Sequence, residues 1–217
     1  MKTEGVVLKS KVLGEGLRAL SLYTKKLGRL NAIVKVQRGE FPLKYEPFSV
    51  SEFTLSQKKE RFEVVKSKLL EENFPRNSEE LNYRAKISRL VIPLPIPGNH
   101  KLFNLIRNYL KVKSEFELAY TMFTAKFLFV EGIFPQLRKC VCCKSKEIVG
   151  FSLEKGGVVC RKCAKGELLS WNRELSALTV KLTKEPFKKM VGKVKKRELK
   201  KVKELLLSHY AKRIVSD

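Results

Sequence analysis

The residues with the clearest capacity for chemistry are four of the five cysteines. Cys140-Val-Cys142-Cys143 and Cys160-Arg-Lys-Cys163 read as C-x2-C, a gap of sixteen residues, then C-x2-C. A two-residue gap lets both thiolates of a tight knuckle reach one ion at about 2.3 Å, and a second knuckle completes a tetrahedron. The spacing falls within the zinc-ribbon pattern, so Cys140, Cys143, Cys160 and Cys163 are the expected ligands of one Zn²⁺. Gly150 and Gly156-Gly157 would reverse the chain, with strands over 147–153 and 157–159 forming a small hairpin between the knuckles. Lys139, Lys144, Arg161 and Lys162 flank the pairs and would offset the charge of four thiolates. Four protein ligands leave no open coordination position, so the expected role is structural. Cys142 is poorly placed for the same ion as its neighbour Cys143 and is read as a spare small residue. A disulfide would need an oxidising compartment, and a redox C-x2-C would not come twice at this spacing. An iron–sulfur cluster uses the same ligands and stays as an alternative that the ribbon spacing disfavours.

Other chemistry is thinly provided. The only Asp is Asp217, whereas two-metal nucleases and polymerases hold Mg²⁺ through clustered carboxylates. There is no GxxxxGK[ST] phosphate loop. His100 and His209 stand alone, with no acid or Cys at triad or ligand spacing, and are read as ordinary surface or helix residues. Gly14-Glu15-Gly16 is read as a hairpin turn, and no enzymatic activity is expected.

Charge is the other strong signal. Lys and Arg total 46 against 22 acids, a net +24. The excess is spread along the chain: 15 bases against 9 acids over 1–75, 11 against 5 over 76–139, 6 against 3 over 140–169 and 14 against 5 over 170–217. A field of this size is matched by a polyanion, and nucleic acid fits best. A thermophile surface rich in Lys and Glu explains high total charge but not a two-to-one imbalance. No run of 18 uncharged apolar residues exists, so no membrane span is expected. The opening MKTEGVVLKSKVLG lacks the apolar centre of a signal peptide, which makes the cytoplasm the expected compartment.

The elements that must position these residues change character near residue 76. Before it, partial alternation over 6–12, 19–24, 30–36, 48–55 and 61–69 predicts five short strands, with turns every 8–12 residues, and hence a small closed barrel. After it the period is near 3.6. Ser78 is the expected cap of a helix that must end before Pro93, and 102–110 is a second amphipathic helix. Ser114 and Glu117 fit a capping box for a third, whose Phe116, Ala119, Tyr120, Phe123, Phe127 and Val130 read as bundle core. Helices are also expected over 174–183 and 197–215, with Lys-rich 188–203 as their solvated side and secondarily a phosphate contact. The predicted class is α+β and multidomain. It comprises a five-stranded closed-barrel nucleic-acid-binding domain over 1–75, a helical domain over 76–139 and 170–217, and a four-cysteine zinc-ribbon-like module over 140–169 inserted in it.

In this order the segments resemble the RecO family of bacterial recombination mediators. Residues 21–35 (SLYTKKLGRLNAIVK) are similar to its strand–turn–strand signature, T-x-x-x-G-[RK]-L ahead of a K-G-x-R-like loop. Pro47-Phe48 before an alternating strand, 131–137 leading into the first C-x2-C, and Phe151-Ser152 with 156–160 before the second resemble the family as well. The likeness covers about residues 1–175. Val36 stands where the family loop often has Gly, and Lys144 stands where Gly commonly follows the second cysteine, which would loosen the first knuckle. The resemblance implies that the five-stranded barrel over 1–75 is an OB-fold, and that the protein is nucleoid-associated, binds single- and double-stranded DNA and anneals complementary strands. It also implies help in loading RecA onto strands coated by single-stranded-DNA-binding protein, with RecR as partner. Arg18, Lys25, Lys26, Arg29, Lys35 and Arg38, along two strands and their turns, are the DNA-contact candidates, since OB-fold grooves follow a backbone with cations. Tyr23 is a stacking candidate whose face alternation leaves undecided. The rival reading is an RNA-binding OB-fold/zinc-ribbon protein of ribosome or transcription.

Overall fold

The computed structural model describes residues 1–14, 16–37, 42–59 and 61–215. Strands β1 (Lys2–Gly14), β2 (Leu17–Thr24), β3 (Gly28–Lys35), β4 (Val50–Lys58) and β5 (Arg61–Glu71) close into a barrel of order β1-β2-β3-β5-β4. Alternation decides which face goes inward: Leu20 and Leu22 of β2, Leu30, Ala32 and Val34 of β3, and Phe53 and Leu55 of β4 meet in one core. β1 pairs with β4 over 2–6 and with β2 over 5–14, and a register shift between Val7 and Lys9 bends it from one partner to the other. β3 and β5 run parallel and touch where Ala32 meets Phe62 and Ile33 meets Glu63, which closes the cylinder. This is the closed five-stranded barrel that the strand spacing predicts, and it agrees with the OB-fold that the resemblance implies.

The β2–β3 turn explains why its motif needs Thr and Gly four residues apart. Thr24 Oγ1 accepts the Leu27 N–H at 3.1 Å and donates to the Gly28 carbonyl at 3.1 Å. Gly28 has φ 74°, and a Cβ there would collide with the backbone of Ile96 to Gly98. Arg29 N–H donates to Ile96 O at 2.8 Å, so the proline-rich run that ends the first helix is held against this turn. Tyr23 is fully buried and its hydroxyl donates to Pro97 O at 3.1 Å. That removes it as a stacking surface.

Helix α1 (Ser78–Val91) is capped by Asn77, whose side chain accepts the Glu80 N–H at 2.8 Å. The expected cap, Ser78, is instead the first helical residue, since the Asn one place earlier takes the extended backbone a cap requires. Helix α2 (His100–Leu110) follows, capped by Asn99. Helix α3 (Phe116–Val130) starts too late for the expected capping box. Glu115 before it is left-handed at φ 52°, and the Glu117 carboxylate pairs with Lys203 at 2.6 Å.

The chain divides by packing into two units, Met1–Phe116 and Glu117–Asp217, so α1 and α2 count with the barrel. In the second unit, β6 (Gly150–Ser152) and β7 (Gly157–Val159) form the hairpin between the cysteine pairs, shorter than expected at its first strand. Helices α4 (Arg173–Lys184), α5 (Phe187–Met190) and α6 (Lys196–Val215) complete it, α5 being a single turn after Pro186 that the periodicity does not reveal. The apolar stripe expected on α3 is only part of what is covered, because Leu118 to Ala125, Phe127 and Leu128 are all buried. Phe127 meets Tyr210 of α6 edge-on at 5.9 Å. Lys126 Nζ donates to the carbonyls of Thr183 and Glu185 at 2.6 and 2.9 Å, placing a cation where the α4 dipole ends negative.

Candidate metal centre and cationic surface

The two cysteine pairs are brought together by the β6–β7 hairpin and by short backbone bonds around it. Cys140 N–H donates to Ser145 O at 2.8 Å and Lys144 N–H to Cys140 O at 2.9 Å, which closes the first knuckle. Cys163 N–H to Cys160 O at 3.0 Å closes the second. Val141 N–H to Val158 O at 2.9 Å and Val149 N–H to Val159 O at 3.0 Å tie the first knuckle to the hairpin. As a result the Sγ atoms of Cys140, Cys143, Cys160 and Cys163 all lie within 4.8 Å of one another. A tetrahedron with metal–sulfur distances of about 2.3 Å has sulfurs about 3.8 Å apart, and Cys143 and Cys160 Sγ stand 3.5 Å apart. The donor set and its spacing therefore fit a four-coordinate thiolate metal.

The electrostatics agree. Burial opposes ionisation of Cys140, but the amides of Cys143, Cys160 and Cys142 bond its sulfur and hold the thiol down, to about 6. Cys163 is pushed up to about 12, chiefly because its thiol bonds Cys143 and Cys160. The four sulfurs thus sit close enough to bear directly on one another's ionisation. Cys140 and Cys160 are buried, while Cys143 is exposed and Cys163 intermediate, so the cluster has one dry and one wet side. Cys142 is exposed and outside the cluster. Lys144 takes φ 64°, so the knuckle closes with Lys in the left-handed position that Gly would occupy more easily. Lys139, Lys144, Arg161 and Lys162 are all exposed. Lys144 Nζ reaches Val141 O at 3.4 Å, and a further cation is held more closely: Lys155 Nζ donates to Cys163 O at 3.1 Å. Its only sequence signal is its place beside Gly156-Gly157.

His209, an isolated residue in the sequence, is buried on α6 with Nε2 2.9 Å from Ile133 O. That contact puts the proton on Nε2, leaving the buried Nδ1 without a partner among the described residues. Burial holds its pKa below the usual histidine value, the Ile133 carbonyl opposes this and the nearby Arg213 charge reinforces it.

The cations proposed for nucleic acid do not form a single patch. Register pairs Arg18 with Val34 and Leu17 with Lys35, so Arg18 and Lys35 share one end of the β2–β3 ribbon. Lys25, Lys26 and Arg29 occupy the turn at the other end, about 23 Å away at the rise of an extended strand. Arg18 Nη1 pairs with Glu46 at 2.6 Å and is largely covered. Lys25 pairs with Glu4 at 3.3 Å. Arg29 is half-buried, with Nε shielded and lacking a partner among the described residues. Lys26 and Lys35 are exposed, and neither has an acidic partner among the described residues. Arg38 lies outside the described residues. Exposed Lys9, Lys11, Lys66 and Lys68 on β1 and β5 add charge to the barrel that reading by loops passed over, although their alternation marks them.

Comparison with known proteins agrees with this arrangement. The family model described as Recombination protein O N terminal matches residues 1–72, and that described as Recombination protein O C terminal matches residues 98–216. The chain is similar to the DNA repair protein RecO of Alkaliphilus metalliredigens, at 33% identity over 195 residues, covering 84% of this chain and 78% of that protein. The protein of the same name from Caldicellulosiruptor saccharolyticus is 26% identical over 228 residues, covering 99% and 93%. That of a Thermoanaerobacter species is 27% identical over 176 residues, covering 75% and 71%. The ribosomal or transcriptional RNA-binding alternative is not favoured by these matches.

Proposed function

The chain belongs to the RecO family of DNA repair proteins, and from that premise we propose that it is a non-enzymatic recombination mediator. It binds single- and double-stranded DNA, anneals complementary strands and, with RecR, assists RecA loading onto DNA coated by single-stranded-DNA-binding protein. The observation that carries this reading is the pairing, in one chain, of matches to both RecO halves with a net charge of +24. Annealing brings two polyanions together, and a platform that neutralises both lowers their repulsion. We assign primary DNA binding to residues 1–75, with Lys26 and Lys35 exposed and without an acidic partner among the described residues, and Arg18 committed to an internal pair. The remaining division, helical over 76–139 and 170–217 with the cysteine module over 140–169, follows function; packing instead divides the chain after Phe116. The metal we propose is one Zn²⁺ on Cys140, Cys143, Cys160 and Cys163, supplying cross-linking and no reaction. A cytoplasmic, nucleoid-associated location follows from the same role, and among the described residues no helix is long and apolar enough to cross a membrane.

A strand-annealing assay with and without single-stranded-DNA-binding protein tests the reading. The chain should anneal complementary oligonucleotides without nucleotide, and should still do so on coated strands. Annealing no faster than the spontaneous rate in both conditions would overturn it.

A further inference from the structure

A cationic groove in the second unit is used by nothing described so far. Two adjoining cavities, of about 580 and 640 Å³, share Leu137, Arg138, Val180 and Lys184 in their linings and together make up this groove. One wall is α4, whose Arg173, Ala177, Val180, Lys181 and Lys184 line it at the spacing of a single helical face. The other wall is the segment entering the first knuckle, with Arg138 and Lys139, together with Lys146 and Ile148 beyond it. Arg173 ties the walls together by donating to Lys146 O at 2.7 Å.

Six cations therefore border the groove, and Arg138, Lys139, Lys146, Lys181 and Lys184 have no acidic partner among the described residues. The acid on the rim, Glu185, faces Lys189 at 3.8 Å, while Glu147 and Glu174 line a shallower cavity of about 390 Å³ that adjoins the groove at Ile148 and Arg173. The floor is apolar. At its far end Phe129 stands 63% exposed, edge-on to Phe134 at 6.1 Å. Phe129 is an exposed apolar ring on a helix otherwise largely buried, so its outer face is accessible to a base.

We infer that this groove is a second single-strand site, holding the phosphates along α4 and a base against Phe129. The inference rests on the DNA-binding reading and adds a location outside the barrel. From Arg173 to Lys184 the α4 face runs about 16 Å at a helix's rise, enough to meet several successive phosphates of one strand. Cations strung along two walls suit a repeating charge better than the single acidic cluster of a docked peptide. A second site on the same chain is what annealing asks for, since two strands must be neutralised at once.

The full chain is titrated with a fluorescein-labelled deoxythymidine decamer, reading anisotropy and stoichiometry, for the parent, Phe129→Ala and Lys181→Glu/Lys184→Glu. The parent is expected to take two decamers per chain. Phe129→Ala, which changes no charge and removes an exposed ring, should weaken one of them by roughly 5- to 150-fold, the range for loss of one base–aromatic stack. The double lysine variant should reduce the log–log salt slope of that site by about 1.4, two single-strand contacts. A parent that binds no decamer overturns the DNA-binding reading and this inference with it. A parent that binds while both variants match it in affinity and stoichiometry overturns the groove alone. Variants that keep decamer binding but lose an acidic, apolar-ended peptide would assign the groove to a protein partner and equally overturn the inference.

Discussion

At the scale of single residues, the four-sulfur cluster makes the sharpest demands. Short backbone bonds hold both knuckles in place, so losing one ligand leaves three sulfurs converging on an incomplete site. Cys160→Ser should lower metal content from about one Zn per chain to near zero and unfold the local module, because binding and folding of such sites are one equilibrium. Cys142→Ser should leave both unchanged, since Cys142 is exposed and outside the cluster. Elemental analysis of the purified chain checks this, and iron in place of zinc would reverse the assignment. His209 supplies a second residue-scale test. Its folded pKa is depressed by burial, so the unfolded chain binds the extra proton first. Its contribution is complete above the unfolded value near 6.5 and is lost as pH falls towards the folded one. His209→Gln can keep the bond to Ile133 O without the titration. The parent's urea midpoint should therefore fall faster than the variant's below about pH 6.5.

Elements show why some glycines matter and others do not. Gly14 and Gly28 both have positive φ, at 106° and 74°, so a side chain strains either. At Gly14 a Cβ meets nothing within 4 Å among the described residues, whereas at Gly28 it meets the backbone of the 96–98 segment. Alanine at Gly14 should cost backbone strain alone, on the order of 1–3 kcal/mol. Alanine at Gly28 should cost more, since the β2–β3 turn must also move off the proline-rich run. Urea unfolding of the two variants gives the order directly, and equal losses would mean that the turn is not held against 96–98 in solution.

For the whole molecule the question is where a field of +24 is put to use. Affinity for single strands should fall steeply with salt, with a log–log slope of roughly −0.7 for each neutralised phosphate. If the barrel is the primary site, reversing Lys35 and Arg38 together should weaken binding more than reversing Lys195 and Lys196. Both double variants change net charge equally, so long-range steering falls alike and only local geometry differs. Equal losses, or a larger one from the C-terminal pair, would move the principal surface to the helical region.

The sequence by itself determined the features that depend on short spacings. Two C-x2-C knuckles sixteen residues apart, five alternating strands, and a helix stopped before Pro93 are local patterns, and their chemistry is decided within a few bonds. Only the tertiary structure decided what depends on distant neighbours. Tyr23 is core because Pro97 lies over it, and Arg18 is half-spent because Glu46 is beside it. His209 is buried because Phe151 and Ile133 pack against α6, and Phe129 is left exposed at the mouth of a groove. Periodicity assigns a residue to a face, but which faces are covered is set by partners tens of residues away in the chain.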